Sequence, residues 1–422
     1  MAAAETNRAI EAVFRIERAR LIAGLARMVR SVDRAEELAQ DALLAALAEW
    51  PKTGVPAKPG AWLMATAKRR AIDGIRHERM RARKHEEIAR ESDGDHAPPE
   101  AVEAALNERL DDDLGDELLG LMFTACHPIL PAEARVALTL RLIGGLATDE
   151  IARAFLSSEA AVAQRIVRAK KAIRQAGLAF AVPRGPERMA RLASVLEVIY
   201  LIFNEGYAAT AGEDLIRPAL CLEARRLGRI LAGLMPEEAE AQGLLALMDL
   251  QASRFPARAG PDGAFVPLTE QNRARWDRLL IGSGLAALER AEALGGADGP
   301  YALQAALAAC HARAARAEDT DWLRIAALYD RLREVMPSPV VDLNRAVAYG
   351  MAFGPEAGLA RIDEIADAPA LQHYASLPAA RGDALFRAGR LAEARPQFEA
   401  AAALTRNARE KAFLLARAQA CA

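Results

Sequence analysis

Aromatic residues make up only 5% of the 422 residues, and strings of β-branched residues are scarce, so little in the chain favours a β-sheet. Cysteine is rare as well. Cys126, Cys221, Cys310 and Cys421 show no C-x-x-C or other paired spacing, which excludes the usual disulfide and zinc frameworks and fits a reducing cytoplasm. No charge-free run of about 18 apolar residues occurs, and the N-terminus has no apolar signal core, so no membrane partner is expected. Catalytic signatures are missing too: there is no G-x-x-x-x-G-K-[ST], no H-E-x-x-H and no G-x-S-x-G. The polar groups in Asn204-Glu205-Gly206-Tyr207, Asp262-Gly263 and Trp276-Asp277 form no catalytic constellation, so neither an enzyme nor a cofactor is expected. Asn204, Glu205 and Tyr207 read instead as hydrogen-bonded groups closing a helix end at Gly206. Cys126-His127 and Cys310-His311 lack ligand spacing and read as buried structural residues rather than a metal site.

What the chain does have is alanine, leucine, arginine and glutamate, the composition of helices nearly everywhere. The fold class is therefore all-α, and the length calls for two to four domains. A net charge of −2 conceals a strong asymmetry. Basic residues dominate from Lys68 to Arg90, whereas residues 91–117 are acidic with Arg109 as their single cation, the composition of a linker.

The pattern is helical from Ala9 to about Arg90, with Asp33-x-x-Glu36 as a capping box opening a helix from Arg34 to Trp50. The Pro/Gly-rich loop 51–60 separates that helix from another over Ala61–Arg76, whose Trp62, Leu63, Ala67, Ile72 and Ile75 serve as its core face. A second helical module covers 118–181, closed by the stiff connector Val182-Pro-Arg-Gly-Pro186. Helices fill 187–290, with a short hairpin around Pro261-Asp-Gly263. Residues 291–422 read as paired helices with a tetratricopeptide-like period. Tyr329, Ile362 and Phe398 lie 33 and 36 residues apart, and Pro396 must occupy a first turn or kink its helix.

The sharpest local signal is Thr148–Arg174, a helix-turn-helix pattern with Thr148 and Ser158 as N-caps. Ile151, Ala152 and Phe155 would pack on Val162, Ile166 and Ile173, leaving Arg165, Arg168, Lys171 and Arg174 along one outward side. Such cations neutralise phosphates or reach guanine edges in the major groove. Trp62 is adjacent to the other basic segment, but at helical spacing it reads as a core residue rather than a base-stacking platform.

In their order along the chain, Ala35-Glu-Glu-Leu-Ala-Gln-Asp41, Ala61-Trp-Leu63 through Ala71-Ile-Asp73 and Arg76, and the later helix-turn-helix resemble the extracytoplasmic-function sigma factors. The resemblance implies that residues 1–90 form sigma region 2 and that Glu36, Glu37, Gln40 and Asp41 dock on the clamp of core RNA polymerase. It makes loop 51–60 the captor of a flipped promoter base, and assigns Lys58, Lys68, Arg69, Arg70 and Arg76 to the minus-ten element. Arg69 stands where relatives commonly carry Asn. Residues 118–181 become region 4, with Ser158, Arg165, Arg168, Lys171 and Arg174 on the minus-thirty-five element. The acidic linker would thread the basic RNA exit path.

Leu201-Ile-Phe-Asn-Glu-Gly-Tyr207, Leu244–Met248, Gln271-x-Arg-x-x-Trp276, Gly299–Gln304 and Leu343–Ala348 extend the resemblance to the subgroup bearing a long tetratricopeptide-like C-terminal extension. In that subgroup the extension takes the place of a membrane anti-sigma factor, through contacts with its own sigma domains or with polymerase. Its genes neighbour a small YCII-related protein of the DGPF type. Two other classes compete with a sigma factor: a helix-turn-helix regulator with a tetratricopeptide-like sensor and no clamp surface, and a solenoid scaffold that binds peptides.

Overall fold

In the computed structural model, residues 2–89, 114–208, 216–260 and 263–421 are described. They form eighteen α-helices, and the extended structure among them is a single antiparallel bridge between Ala259 and Phe265, so the protein is all-α. That bridge stands where the hairpin was expected, with Pro261 and Asp262 outside the described residues. The chain divides into two compact units, Met1–Val198 and Ile199–Ala422.

The first unit opens with a three-helix bundle of α1 (Ala2–Val29), α2 (Val32–Thr53) and α3 (Pro59–Ala89). In α2 the buried residues Ala35, Leu38, Ala39, Ala42, Ala46 and Trp50 recur at three- and four-residue steps, the signature of one apolar stripe. They meet Leu21, Ile22 and Leu25 of α1 and Leu63, Ala67 and Ala71 of α3, the other buried faces of the bundle. The expected capping box does not form. Ser31 caps α2, its hydroxyl accepting from the Arg34 N–H at 3.3 Å, which places Asp33 inside the first turn and frees Glu36 for other partners. The helix also runs on through Pro51 and stops at Gly54, whose φ of 85° suits glycine and whose N–H returns to the Trp50 carbonyl. Helix α3 then begins at Pro59, two residues before the expected start, with proline in the N-terminal position where its missing N–H costs nothing.

Four shorter helices follow: α4 (Leu114–Ala125), α5 (Ala132–Leu142), α6 (Thr148–Ala154) and α7 (Glu159–Gln175). Residues 90–113, most of the expected acidic linker, lie outside the described residues. The linker's last residues are helical instead: Asp116 and Glu117 form the first turn of α4, where carboxylates complement the helix dipole. Glu117 is buried against α1 with Arg27 at 3.9 Å, and burial pushes its carboxyl above the ordinary range.

Helix α8 (Pro186–Tyr207) crosses the division between the units. Its first half belongs with the first unit. Ser194 donates to the Cys126 carbonyl, Arg191 to the Phe123 carbonyl at 3.0 Å, and Glu197 pairs with Arg135 at 2.8 Å.

The second unit continues with α9 (Pro218–Leu234), α10 (Ala239–Ala252), α11 (Arg278–Ala293), α12 (Pro300–Arg313), α13 (Trp322–Val335), α14 (Pro339–Phe353), α15 (Pro355–Ile365), α16 (Ser376–Arg387), α17 (Leu391–Leu404) and α18 (Ala408–Gln419). From α12 onward each helix packs on the next. Tyr329, Ile362 and Phe398 fall on α13, α15 and α17, every second helix. Pro396 is the sixth residue of α17, beyond the first turn. An apolar core running from Ala246 to Ala348 crosses position 290, so the sequence-drawn boundary there separates nothing in the packing.

Buried polar contacts hold this unit together. Asp249 is fully buried, paired with Arg225 at 2.6 Å and accepting from Ser283 at 2.7 Å. Arg273 of the Gln271–Trp276 motif donates to the carbonyls of His311 and Ala314 and to Thr320. Glu240 accepts from the N–H groups of Tyr301 and Ala302, capping α12 from a neighbouring helix. Gly206 does not end α8 in a left-handed turn. A Cβ there would lie 2.8 Å from the Cys221 backbone nitrogen, so the glycine is required by the close approach of α9.

Candidate polymerase and promoter interface

Opposite the buried stripe of α2, Glu37, Gln40 and Leu44 recur at steps of three and four on the exposed surface. Leu44 is 62% exposed, an apolar group one turn beyond Gln40 and Asp41. Sequence reasoning missed it, although a leucine off the apolar stripe at Ala42 and Ala46 was a visible signal. Glu37 pairs with Arg34 at 2.9 Å, and Asp41 reaches Arg70 of α3 at 3.5 Å. Glu36 lies elsewhere: its side chain is 12% exposed and it pairs with Arg18 at 2.9 Å, with Arg141 at 3.6 Å and with Lys170.

On α3 and the turn before it, Lys58, Arg69 and Arg76 are exposed, Lys68 is half-buried, and Arg70 is engaged by Asp41. Trp62 is partly buried, edge-on to the buried Trp50 ring with centroids 5.3 Å apart. That packing leaves it part of the bundle, as its helical spacing suggested.

The helix-turn-helix is formed by α6 and α7. Ile151 and Ala152 are buried with Val162, Ile166 and Ile173, and Phe155 is half-buried. Ser158 caps α7, accepting from the Ala161 N–H at 3.2 Å. Thr148 is not a cap. Ala147 occupies that position and Glu150 reaches back to its N–H at 2.7 Å, the carboxylate half of a capping box doing the work alone. In the turn, Leu156 adopts φ 47°.

The cations of α7 do not share one side. A three-residue step lags a helical turn by about 60°, so Arg165 and Arg174 diverge by about 180°. Arg165 pairs with Glu133 at 2.7 Å and Arg174 lies 3.4 Å from Asp33. Arg168 and Lys171 are exposed and have no carboxylate partner among the described residues. Gln164 and Val167 are exposed beside them, Val167 at 65%. These two supply an amide fork and a methyl surface, the groups that read adenine edges and thymine methyls.

Among the described residues no group of three or more His, Cys, Asp or Glu side chains converges. Burial pushes the Cys126 thiol up to about 12, and its sulfur lies 3.3 Å from the Thr139 hydroxyl. All four cysteines are free and buried. No described helix is long and apolar enough to cross a membrane.

Residues 13–81 match sigma-70 region 2, residues 121–173 match sigma-70 region 4, and residues 191–292 match a family of unknown function, DUF6596. The chain belongs to the extracytoplasmic-function sigma factors with a C-terminal extension. An uncharacterised protein of Rhizobium meliloti (strain 1021) is 43% identical over 399 residues, covering 94% of this sigma factor and 92% of that protein. No solved structure matches. Regions 2 and 4 give the sigma factor its role in transcription initiation, with core RNA polymerase and promoter DNA as the partners that such domains imply.

Proposed function

We propose that this chain acts in the cytoplasm by docking on core RNA polymerase through α2 and directing it to promoters through α3 and α7. The observation that carries the reading is the exposed Glu37–Gln40–Leu44 face, polar groups followed one turn on by an exposed leucine, on the module that matches region 2. Asp41 borders that face, and Glu36 would join it only on leaving its present ion pairs. Lys58, Lys68, Arg69, Arg70 and Arg76 take the minus-ten element, and Ser158, Arg165, Arg168, Lys171 and Arg174 take the minus-thirty-five element. The C-terminal helices modulate this activity through contacts with the sigma domains or polymerase.

Co-elution of the full chain with bacterial core RNA polymerase tests the proposal. The Gln40→Ala, Asp41→Ala pair is expected to weaken the complex about tenfold, or about 1.4 kcal/mol. Absence of any complex at low salt, with duplex DNA still bound, would leave a conventional helix-turn-helix regulator.

A further inference from the structure

Carboxylates answer two poorly exposed cations of the second unit: Arg217 pairs with Glu205, and Arg225 with Asp249 at 2.6 Å. Three other arginines are not answered in this way. Arg254 and Arg258 flank the single 3₁₀ turn Phe255–Ala257 that follows α10, Tyr207 ends α8, and Trp276 stands two residues before α11. The guanidinium carbons of Arg258 and Arg254 lie 4.0 and 5.9 Å from the Tyr207 ring centroid, and those of Arg254 and Arg273 lie 5.7 and 5.2 Å from that of Trp276. Arg258 is 7% exposed and Arg273 5%. Among the described residues none of the three forms an ion pair. Glu318 and Asp319 offset the Arg273 charge in part, and two carbonyls and the Thr320 hydroxyl take its terminal N–H groups. Arg258 donates to the Tyr207 carbonyl. The Arg254 guanidinium donates to nothing among the described residues, and its Nε is buried.

Three like charges gathered where water is scarce repel one another. Burial lowers the pKa of Arg258 and of Arg273, and the Arg254 charge lowers both further. A guanidinium does not give up its proton to relieve such a conflict, so an anion is what relieves it. We propose that Arg254 and Arg258 form a binding site for an oxyanion, the carboxylate or phosphate group of a small molecule, with Arg273 and Trp276 as its wall. Both guanidiniums share the Tyr207 ring, so their N–H forks can converge on one anion in charge-assisted bonds about twice as strong as neutral ones. The indole N–H of Trp276, buried and unpaired among the described residues, adds a neutral donor to the cluster. Arg254 is half-buried rather than sealed, so a solute can reach it. The rings themselves are taken: Tyr207 carries Arg258 and stacks on Phe203, with centroids 5.7 Å apart, and Trp276 is 3% exposed. The cluster therefore selects a ligand by its charge and not by stacking. It lies wholly within the second unit and stands whether or not that unit modulates initiation.

Equilibrium dialysis of the full chain against radiolabelled inorganic phosphate and, separately, radiolabelled succinate, with sodium chloride holding the ionic strength constant, tests the site. At least one of the two should bind saturably, and Arg254→Gln should weaken that binding about tenfold, the loss expected for a hydrogen bond to a charged group. Arg258→Lys keeps the charge but loses the fork, so it should weaken binding less than Arg258→Gln does. Saturable binding of phosphate alone would make the ligand a phosphorylated molecule, and of succinate alone a carboxylate. In chloride buffer Arg254→Gln should leave the denaturant midpoint nearly unchanged, because Arg254 makes no hydrogen bond among the described residues and stands among other cations. A large fall in that midpoint would make Arg254 a structural residue and overturn the assignment. Binding that survives both Arg254→Gln and Arg258→Gln would place the anion on another cation cluster and overturn it as well, as would the absence of saturable binding by either anion.

Discussion

The imidazole of His311 packs edge-on to the Trp322 ring, with centroids 5.2 Å apart, while its carbonyl accepts from Arg273. Burial, helped by the guanidinium groups of Arg254 and Arg273, pushes its pKa down to about 3. The folded protein therefore refuses a proton that the unfolded chain accepts near pH 6.5. His311 contributes no pH-dependent loss above that value, and stability falls as pH drops from about 6.5 towards 3, by at most about 1.4 kcal/mol per unit. His311→Phe keeps a ring against Trp322 and removes the titration. Its denaturant midpoint should lose less than wild type between pH 6.5 and 4.5, and parallel losses would contradict the assignment. Sequence spacing offered no ligand pattern at Cys310-His311. It could not show that arginines 57 and 38 residues upstream would converge on the ring, because that depends on how the helices of the second unit pack.

Helix α7 was legible as an element, since its apolar residues repeat at helical spacing and Ser158 announces its start. Its functional face was less legible. Cations at three-residue steps look like one stripe in a linear string, yet the helix rotates them apart until Arg165 meets Glu133 and Arg174 meets Asp33. Lys170, one position off the stripe, was missed because nothing local announces a partner 134 residues away. On α2 the capping box failed for a similar reason: Glu36 answers cations on three other helices, and Ser31 satisfies the helix start. The free cations should carry the electrostatics of duplex binding. Arg168→Ala and Lys171→Ala should each reduce the slope of log affinity against log salt by about one unit, with Arg165→Ala reducing it less. A larger change from Arg165 than from Arg168 would move the DNA to the Glu133 side of the helix.

The two sigma modules and the helical extension were legible from composition, charge reversal and motif order, but the place where the chain divides was not. The connector 182–186 looked like the end of the second module because two prolines and a glycine interrupt the pattern. The contacts run past it: Leu192, Val195, Leu196 and Val198 are buried, and Arg191, Ser194 and Glu197 bond to residues of α4, α5 and the turn between them. A chain ending at Ala181 would lose all of these, whereas one ending at Val198 keeps the bonds of Arg191, Ser194 and Glu197. Three such bonds at about 1 kcal/mol each place the difference in stability at about 3 kcal/mol. The shorter chain should therefore unfold at a markedly lower denaturant midpoint, and equal midpoints would return the boundary to residue 181. The distinction governs how the extension's role is measured. Lost transcription from the shorter chain would report a damaged region 4, not a missing regulator. The chain ending at Val198 removes the second unit alone, and if that unit modulates initiation, transcription rate or promoter preference with core polymerase should differ from the full chain by at least about fivefold, the scale of a modest allosteric coupling. Identical rates and promoter choice would assign residues 199–422 a task unconnected with initiation.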